Sequence, residues 1–340
     1  MRRFTDGAEN VDNLFWTDSS GITVASGVPY VSPHYYKLIY NQYPFKIIPT
    51  MSECYFRNRI MVNSTRNTAM EFFRARTGST AIAWLTLDST FKLQAEATTI
   101  GVLQIASAVI NPDQWYLIEL YFKEAESPNG RFITYLDGNK VIDYTGDTKP
   151  STGTTFDNIA FHAGGATNIG ALLFMDDMAL NDTDNSDGKN EISWCGDGIV
   201  GKKIALGNGL VNNWIGNDGN KVDNYLLVDE FPNDGDTTYV SASGTLTGLQ
   251  DQYTLTDIDM SYKTILRIFP TATAKKMTAD STRLKLGFIP SGSGAQLLSA
   301  LDLGLSYGQI VGDNYLINPV TSGAWTETDL NNLNFVMEVG

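Results

Sequence analysis

The chain has little of what many active sites are built from. It contains only 2 cysteines and 2 histidines in 340 residues. Cys54 and Cys195 stand in the contexts SECYF and SWCGD, without the CxxC spacing of a zinc or redox site, so we expect two free, partly buried thiols. His34 and His162 each stand alone, without metal-ligand spacing, and are predicted to be ordinary packing or loop residues.

Positive charge and long apolar runs are also scarce. The 24 Lys and Arg residues face 38 Asp and Glu residues, a net charge of −14, which predicts no nucleic-acid partner. No apolar run approaches the roughly 18 residues that indicate a membrane helix, so we expect no membrane insertion. The first residues, MRRFTDGAEN, lack a signal peptide's apolar stretch, and we expect a protein that acts where it is made or leaves by cell lysis or on an assembly.

Aromatic and turn-forming residues are abundant. Aromatics make up 11% of the chain, and 31 glycines accompany many Asn, Asp, Ser and Thr residues. This composition is typical of an all-β protein with many turns. The length suggests about two domains, each able to bury its own core.

Residues 1–183 alternate between short apolar runs and turns, at the spacing of a sandwich or barrel. The segment 111–124 is almost wholly apolar, so both faces of that strand are expected to be covered. Asp137-Gly138 lies between two β-rich runs and predicts a hairpin turn. Strands are further predicted over 52–62, 70–76, 81–87, 91–95 and 101–106. In 70–76, Phe72 and Arg74 are expected to face away from Phe73 and Ala75.

The rest of the chain divides into two parts. Residues 184–235 are dense in Asn, Asp and Gly and are predicted to form an irregular connector, with 226–229 as its best short strand. Residues 236–340 are predicted to form a second, smaller β domain with strands at 237–242, 251–256, 263–269, 282–289, 308–318 and 335–339. Thr326 is placed to cap one helical turn, and a turn or two of helix is left open at 295–301.

Three patterns resemble catalytic motifs without their contexts. GLSYG at 304–308 matches GxSxG, but no histidine follows Ser306, so we interpret it as a turn between strands. GDGIVG at 196–201 matches GxGxxG in a chain without any βαβ unit. Glu119 lies in an apolar strand without a second carboxylate cluster, which is weak support for glycoside hydrolysis.

Four acidic residues are the candidate metal ligands. Asp182 and Asp184 lie in a loop that fails the EF-hand register, which leaves a looser Ca²⁺ site or a solvated acidic loop. Asp176 and Asp177 should face opposite sides of a strand and so cannot act jointly. For this pair we favour a structural role, with one carboxylate bonded to loop backbone amides, over metal or glycan binding. No other cofactor is expected.

Tyrosines cluster near the N-terminal end of the chain. Tyr35, Tyr36, Tyr40 and Tyr43 are candidates for stacking on sugars, and equally for burying an N-terminal arm or forming a subunit interface.

Several segments together resemble bacteriophage virion structural proteins with a concanavalin A-like (laminin G-like) jelly-roll domain. In chain order they begin with FTDGAENVDNLFW, FITYLDGNKVIDYTGDT, LLFMDDMALND and SWCGDGIVGKKIALGNG, and end with VDEFPNDGDTTYV, GLQDQYTLTDI and AWTETDLNNLNFVMEV. The resemblance implies a jelly-roll sandwich over 1–183 followed by a second, smaller β-sandwich. The resemblance also implies that such a module can bind calcium and glycans. Of the acidic ligand positions of such modules, only one is matched in this chain, by Asp176 or Asp177.

From these observations we expect a non-enzymatic virion component on the outer surface of the particle, made in the host cytoplasm. Its expected partners are other virion proteins, further copies of itself and host glycans. A tail, baseplate or fibre location is the first interpretation. Capsid decoration and a polysaccharide depolymerase are the alternatives.

Overall fold

The computed structural model describes residues 2–6, 16–26, 34–64, 69–149, 155–164, 169–186, 191–198, 200–230, 233–242, 246–258 and 264–340. The chain forms two compact units, Met1–Gly201 and Lys202–Gly340. In the described part of the chain, no helix has the length and apolar character needed to cross a membrane. The strands of the first unit are β1 (Arg2–Asp6), β2 (Ile22–Ser26), β3 (His34–Ile39), β4 (Phe45–Met51), β5 (Glu53–Val62), β6 (Met70–Thr77), β7 (Thr80–Leu87), β8 (Lys92–Ala97), β9 (Gly101–Val109), β10 (Tyr116–Lys123), β11 (Gly130–Leu136), β12 (Asn139–Gly146), β13 (Phe156–His162) and β14 (Leu172–Asn181).

The first unit is a sandwich of two antiparallel sheets. The eight-stranded sheet has the order β12-β11-β10-β5-β14-β3-β2, with β1 paired to β14, and the six-stranded sheet has the order β4-β13-β6-β7-β8-β9. One core lies between them and takes large side chains from both sheets, such as Phe56 and Phe122 from the first and Phe73 and Phe161 from the second. The predicted jelly-roll sandwich is therefore confirmed.

Bulges interrupt the regular alternation of two central strands, β6 and β14. The register shifts between Glu71 and Phe73 where β6 pairs with β7, and between Asp176 and Ala179 where β14 pairs with β5. A bulge adds one residue to a strand and redirects the side chains that follow. Phe72 and Phe73 are accordingly both buried in the core, which corrects the expectation that they face opposite sides.

The second unit is smaller and also built from antiparallel sheets. A five-stranded sheet has the order β15-β18-β23-β20-β21, and two strand pairs, β16-β17 and β19-β22, accompany it. The elements are β15 (Ala205–Asn212), β16 (Ile215–Gly216), a 3₁₀ turn (Asn224–Leu227), β17 (Val240–Ser241), β18 (Gln250–Leu255), β19 (Thr271–Ala274), β20 (Arg283–Ile289), β21 (Gln296–Asp302), β22 (Gly308–Val311), α1 (Glu327–Asn331) and β23 (Asn334–Val339).

The predicted connector over 184–235 is divided between the two units. The boundary falls after Gly201, and β15 is an edge strand of the five-stranded sheet. The Gly and Asn residues of β15 concealed it, because such residues are depleted in strands. The segment 226–229 enters a 3₁₀ turn rather than a strand, and 295–301 lies in strand β21 rather than a helix.

Local turn and cap signals were more reliable. Asp137 and Gly138 have φ angles of 47° and 76°, and they join β11 to β12 as the hairpin prediction required. Thr326 caps α1 in a reciprocal arrangement with Asp329, whose backbone N–H donates to the Thr326 hydroxyl.

Candidate functional site

The structure separates the four candidate tyrosines. Tyr36 lies in the main core against Trp16, and Tyr40 packs partly buried on the same core. Tyr35 is buried in a small cluster with Met61 and Phe174. Tyr43 differs from the other three because its side chain is 41% exposed, so only Tyr43 of this set is placed to stack on a ligand.

Tyr43 belongs to a group of polar and aromatic side chains on the outer face of the six-stranded sheet. We call this group the arginine–aromatic face and define it as Tyr43, Glu71, Arg74, Trp84 and His162. Register pairs set it up, because Glu71 lies opposite His162 and Arg74 lies opposite Trp84. The bulge at Phe72 lets Glu71 and Arg74 share a face although they are three residues apart.

Close ring contacts hold the arginine–aromatic face together. The Tyr43 ring stacks on the His162 imidazole, with centres 3.8 Å apart and planes 12° from parallel. The guanidinium of Arg74 lies 5.4 Å from the ring centre of Tyr43 and 5.4 Å from that of Trp84. These are distances at which a cation is attracted to an aromatic ring. Arg74 is thereby fixed between two rings.

Charge on this face is concentrated around one carboxylate. Glu71 accepts a hydrogen bond from Arg74 and lies 3.7 Å from Nδ1 of His162. Burial raises the pKa of Tyr43, and the neighbouring Glu71 carboxylate raises it further, so the phenol keeps its proton at neutral pH. The Tyr43 phenol and the Arg74 guanidinium thus offer both donors and an acceptor on one surface.

Three polar atoms of the arginine–aromatic face lack a partner within the described residues. They are Nε2 of His162, Oε2 of Glu71 and Nε of Arg74. His162 and Glu71 are 5% and 7% exposed. Buried polar atoms are ordinarily hydrogen-bonded. All three atoms are shielded from solvent, so they lie beneath the surface that Tyr43, Arg74 and Trp84 present.

The acidic pair has the structural role that the sequence favoured. The Oδ1 atom of Asp177 accepts a hydrogen bond of 2.6 Å from the backbone N–H of Val200, and Asp176 accepts one from the N–H of Asp177. Asp177 sits at the bulge with a φ of 51°, so the regular alternation assumed for the pair does not hold. Both side chains are buried.

Two arginines of β5 complete this arrangement. Arg57 donates to the carbonyls of Asp177 and Gly196, and Arg59 lies 3.3 Å from the Asp177 carboxylate and also donates to Asp197. Burial lowers the pKa of Arg57 and raises that of Asp177. This network fastens Gly196, Asp197 and Val200 to the outer face of the eight-stranded sheet, which gives these residues of the GDGIVG stretch a structural role.

The loop acids lie apart from that network. Asp182 accepts from the N–H of Asp184, and Asp184 accepts from both the N–H and the hydroxyl of Ser186, as in ordinary Asx turns. Across the residues that the structure describes, no three His, Cys, Asp or Glu side chains are grouped so that they could hold a metal ion.

The remaining sequence candidates have clear positions. Ser306 lies in the turn between β21 and β22, so a strand follows it. Glu119 lies on the outer face of the eight-stranded sheet, where burial raises its pKa against the opposing effects of Arg57 and a hydrogen bond from Gly196. His162, predicted to be an ordinary packing residue, belongs to the arginine–aromatic face. Glu71, Arg74 and Trp84 were not predicted as site residues. The strands that carry them, 70–76 and 81–87, were predicted, but their pairing was not.

No protein-family model matches the chain, and no curated protein matches it in sequence. Among solved structures, an endo-β-1,4-glucuronan lyase from the fungus Trichoderma reesei is 13% identical, with a TM-score of 0.40 over 54% of this chain and 96% of that one. The carbohydrate-binding module CBM66 from Bacillus subtilis is 15% identical, with a TM-score of 0.35 over 49% and 96%. The cellulose-induced protein Cip1 is 12% identical, with a TM-score of 0.43 over 57% and 100%. These likenesses are too weak to assign a function.

Proposed function

We propose that the chain is a carbohydrate-binding protein and that the arginine–aromatic face holds the glycan. The observation that carries this proposal is the position of the Arg74 guanidinium against the rings of Tyr43 and Trp84, with the Tyr43 side chain exposed. A pyranose has an apolar C–H face and a rim of hydroxyl groups. An aromatic ring next to charged donors and acceptors matches both parts.

A glycan array on the full chain, followed by calorimetry with the tightest-binding oligosaccharide, tests this proposal. Tyr43→Ala and Arg74→Ala should each weaken binding at least tenfold, equivalent to about 1.4 kcal/mol. Tyr239→Ala and Arg283→Ala are matched controls, since Tyr239 is 36% exposed and Arg283 forms an exposed ion pair with Asp302, both in the second unit. Equal losses in all four variants, or none in any, would refute the assignment.

Binding without cleavage is the first form of this proposal, and a polysaccharide depolymerase is the second. The second form is favoured by His162 beside Glu71, since imidazole and carboxylate groups serve general acid–base catalysis. Incubation with the bound polysaccharide distinguishes the two. Unchanged chain length supports binding alone, whereas new chain ends that disappear in His162→Ala identify an enzyme.

A place in a bacteriophage particle is a separate proposal, supported by the segments that resemble virion proteins. On this account the chain associates with other virion proteins and with its own copies, and displays its glycan-binding face outward. Quantitative mass spectrometry of purified particles tests it. A handful of copies per particle supports a tail, baseplate or fibre location, copy numbers that scale with the capsid sites support decoration, and absence from particles refutes both.

A further inference from the structure

The outer face of the eight-stranded sheet carries a second group of ligand-binding side chains. Register aligns two rows across strands β5, β10 and β11. Tyr55, Tyr121 and Ile133 form one row, and Glu53, Lys123 and Arg131 form the next. Side chains directly opposite each other in adjacent strands share a face. The apolar strand predicted to be covered on both faces is therefore open on this side, where Tyr121 and Lys123 are half-buried.

These rows line an open pocket of about 350 Å³, which we call the aromatic pocket. This volume falls in the range of roughly 300–1,000 Å³ typical of small-molecule sites. The lining residues are Tyr55, Tyr121, Lys123, Asn129, Arg131, Ile133 and Trp194.

Aromatic rings form one side of the aromatic pocket. Tyr55 and Tyr121 stack with ring centres 4.7 Å apart and planes 28° from parallel. Trp194 stands edge-on to Tyr55 at 5.4 Å and to Tyr135 at 5.0 Å. The Tyr121 phenol donates a hydrogen bond to the Glu53 carboxylate, which holds the ring in place. Rings held in this way lose little conformational freedom when a ligand stacks on them.

The position of Trp194 depends on the residues that flank it. The carbonyl of Ser193 accepts a hydrogen bond of 2.7 Å from the side-chain amide of Asn181. On the other side, the thiol of Cys195 contacts the carbonyls of Tyr55 and Ala179. The pocket is thus assembled within the first unit, on the opposite side of the sandwich from the arginine–aromatic face.

Charges of both signs surround the aromatic pocket. Lys123 lies 3.9 Å from Glu53, and Arg131 lies 3.8 Å from Asp143, which pairs more closely with Lys140 at 2.6 Å. The separations of Lys123 and Arg131 from these carboxylates are longer than a hydrogen bond, so their N–H groups remain able to donate to a ligand. Such donors suit a ligand that is rich in hydroxyl groups.

We propose that the aromatic pocket is a second carbohydrate site, which holds a short stretch of pyranose units. One sugar ring stacks on the Tyr55–Tyr121 pair beside Trp194. Lys123, Asn129 and Arg131 donate hydrogen bonds to its hydroxyl groups. The chain then holds glycan on both outer faces of one sandwich. This site uses different residues from the proposed arginine–aromatic face and does not depend on it.

Calorimetry in the Tyr43→Ala/Arg74→Ala background isolates the aromatic pocket. The probes are tetrasaccharides of glucose, mannose, galactose, N-acetylglucosamine and a uronic acid, with a proline-rich peptide as comparator. We expect at least one tetrasaccharide to bind with a stoichiometry of one, and more tightly than the peptide. Tyr121→Ala and Lys123→Met should each weaken this binding at least tenfold.

Tyr121→Phe keeps the stacking ring and removes only the hydroxyl bonded to Glu53, so it should weaken binding less than Tyr121→Ala does. Tyr239→Ala, in the second unit, is the control and should have no effect. Thermal unfolding of each variant separates loss of the site from loss of the fold, and Lys123→Met keeps the test valid if Tyr121→Ala unfolds. Binding of the peptide alone, or no binding of any probe, would overturn the proposal.

Discussion

The Asp177 carboxylate accepts a hydrogen bond from the backbone N–H of Val200, 23 residues further along the chain. Asp177 reaches this N–H because the bulge in β14 places it in the left-handed region, with a φ of 51°. Asn and Asp adopt that conformation at lower cost than other side chains that have a Cβ atom. One residue therefore both shapes the strand and fastens the segment that carries Trp194.

Replacing Asp177 should separate the contribution of its acceptor oxygen from that of its charge. Asp177→Asn keeps an acceptor and tolerates the left-handed conformation but removes the charge that pairs with Arg59, so the expected loss is about 1–2 kcal/mol. Asp177→Ala loses the acceptor and strains the backbone, and should cost about 2–4 kcal/mol. Urea unfolding of both variants measures these losses. The exposed Asp143→Ala control should cost under about 1 kcal/mol, and equal losses for Asn and Ala would contradict the account.

Glu124 predicts a pH dependence of stability. Its side chain is buried, its two carboxyl oxygens have no hydrogen-bond partner among the described residues, and burial raises its pKa above the ordinary 4.5. Below the ordinary pKa both states are protonated. As the pH rises above the ordinary pKa, the unfolded chain releases this proton before the folded chain does. The folded state therefore loses stability relative to the unfolded state until the pH passes the raised pKa.

Glu124→Gln cannot ionise and should escape this loss. Relative to the wild type, the variant should gain free energy of unfolding between about pH 4 and pH 7, as measured by urea titrations at both values. Glu126→Gln is the control, because Glu126 is exposed and pairs with Lys149 at the surface. A difference between Glu124→Gln and wild type that does not change with pH would show that Glu124 is solvated in the folded protein.

The two cysteines should be inert in the folded protein. Cys54 is completely buried, and burial raises the pKa of its thiol well above its usual value. Cys195 is buried at the backbone of Tyr55 and Ala179. Because the thiolate is the reactive form, neither should react with a thiol reagent until the chain unfolds. Fast labelling of one thiol in native buffer would place Cys195 in a mobile segment and contradict its contacts.

Composition and turn chemistry predicted the all-β class and the Asp137-Gly138 hairpin because both depend on local preferences. Local preferences do not predict the bulges in β6 and β14. At Phe72 one extra residue moves Arg74 to the same face as Glu71, and the alternation of the sequence indicates the opposite. The strand β15 was hidden in turn-forming residues for a similar reason, since its pairing with β18 overrides its weak local preference.

The candidate sites were only partly predictable. The sequence offered four neighbouring tyrosines without distinguishing Tyr43, because the burial of Tyr35 and Tyr36 depends on contacts with strands distant in sequence. His162 looked isolated because its partners, Tyr43 and Glu71, come from a loop and a strand roughly 90–120 residues earlier. A bond to loop amides was expected for one acid of the 176–177 pair, but neither the bulge at Asp177 nor its partner Val200 was identifiable from the sequence.

A crystal structure of the chain with its tightest-binding oligosaccharide tests the central claim most directly. The account predicts a sugar ring against Tyr43 and Trp84, with its hydroxyl groups bonded to Arg74 and to the Tyr43 phenol. A saccharide bound elsewhere, with the outer face of the six-stranded sheet unoccupied, would contradict it.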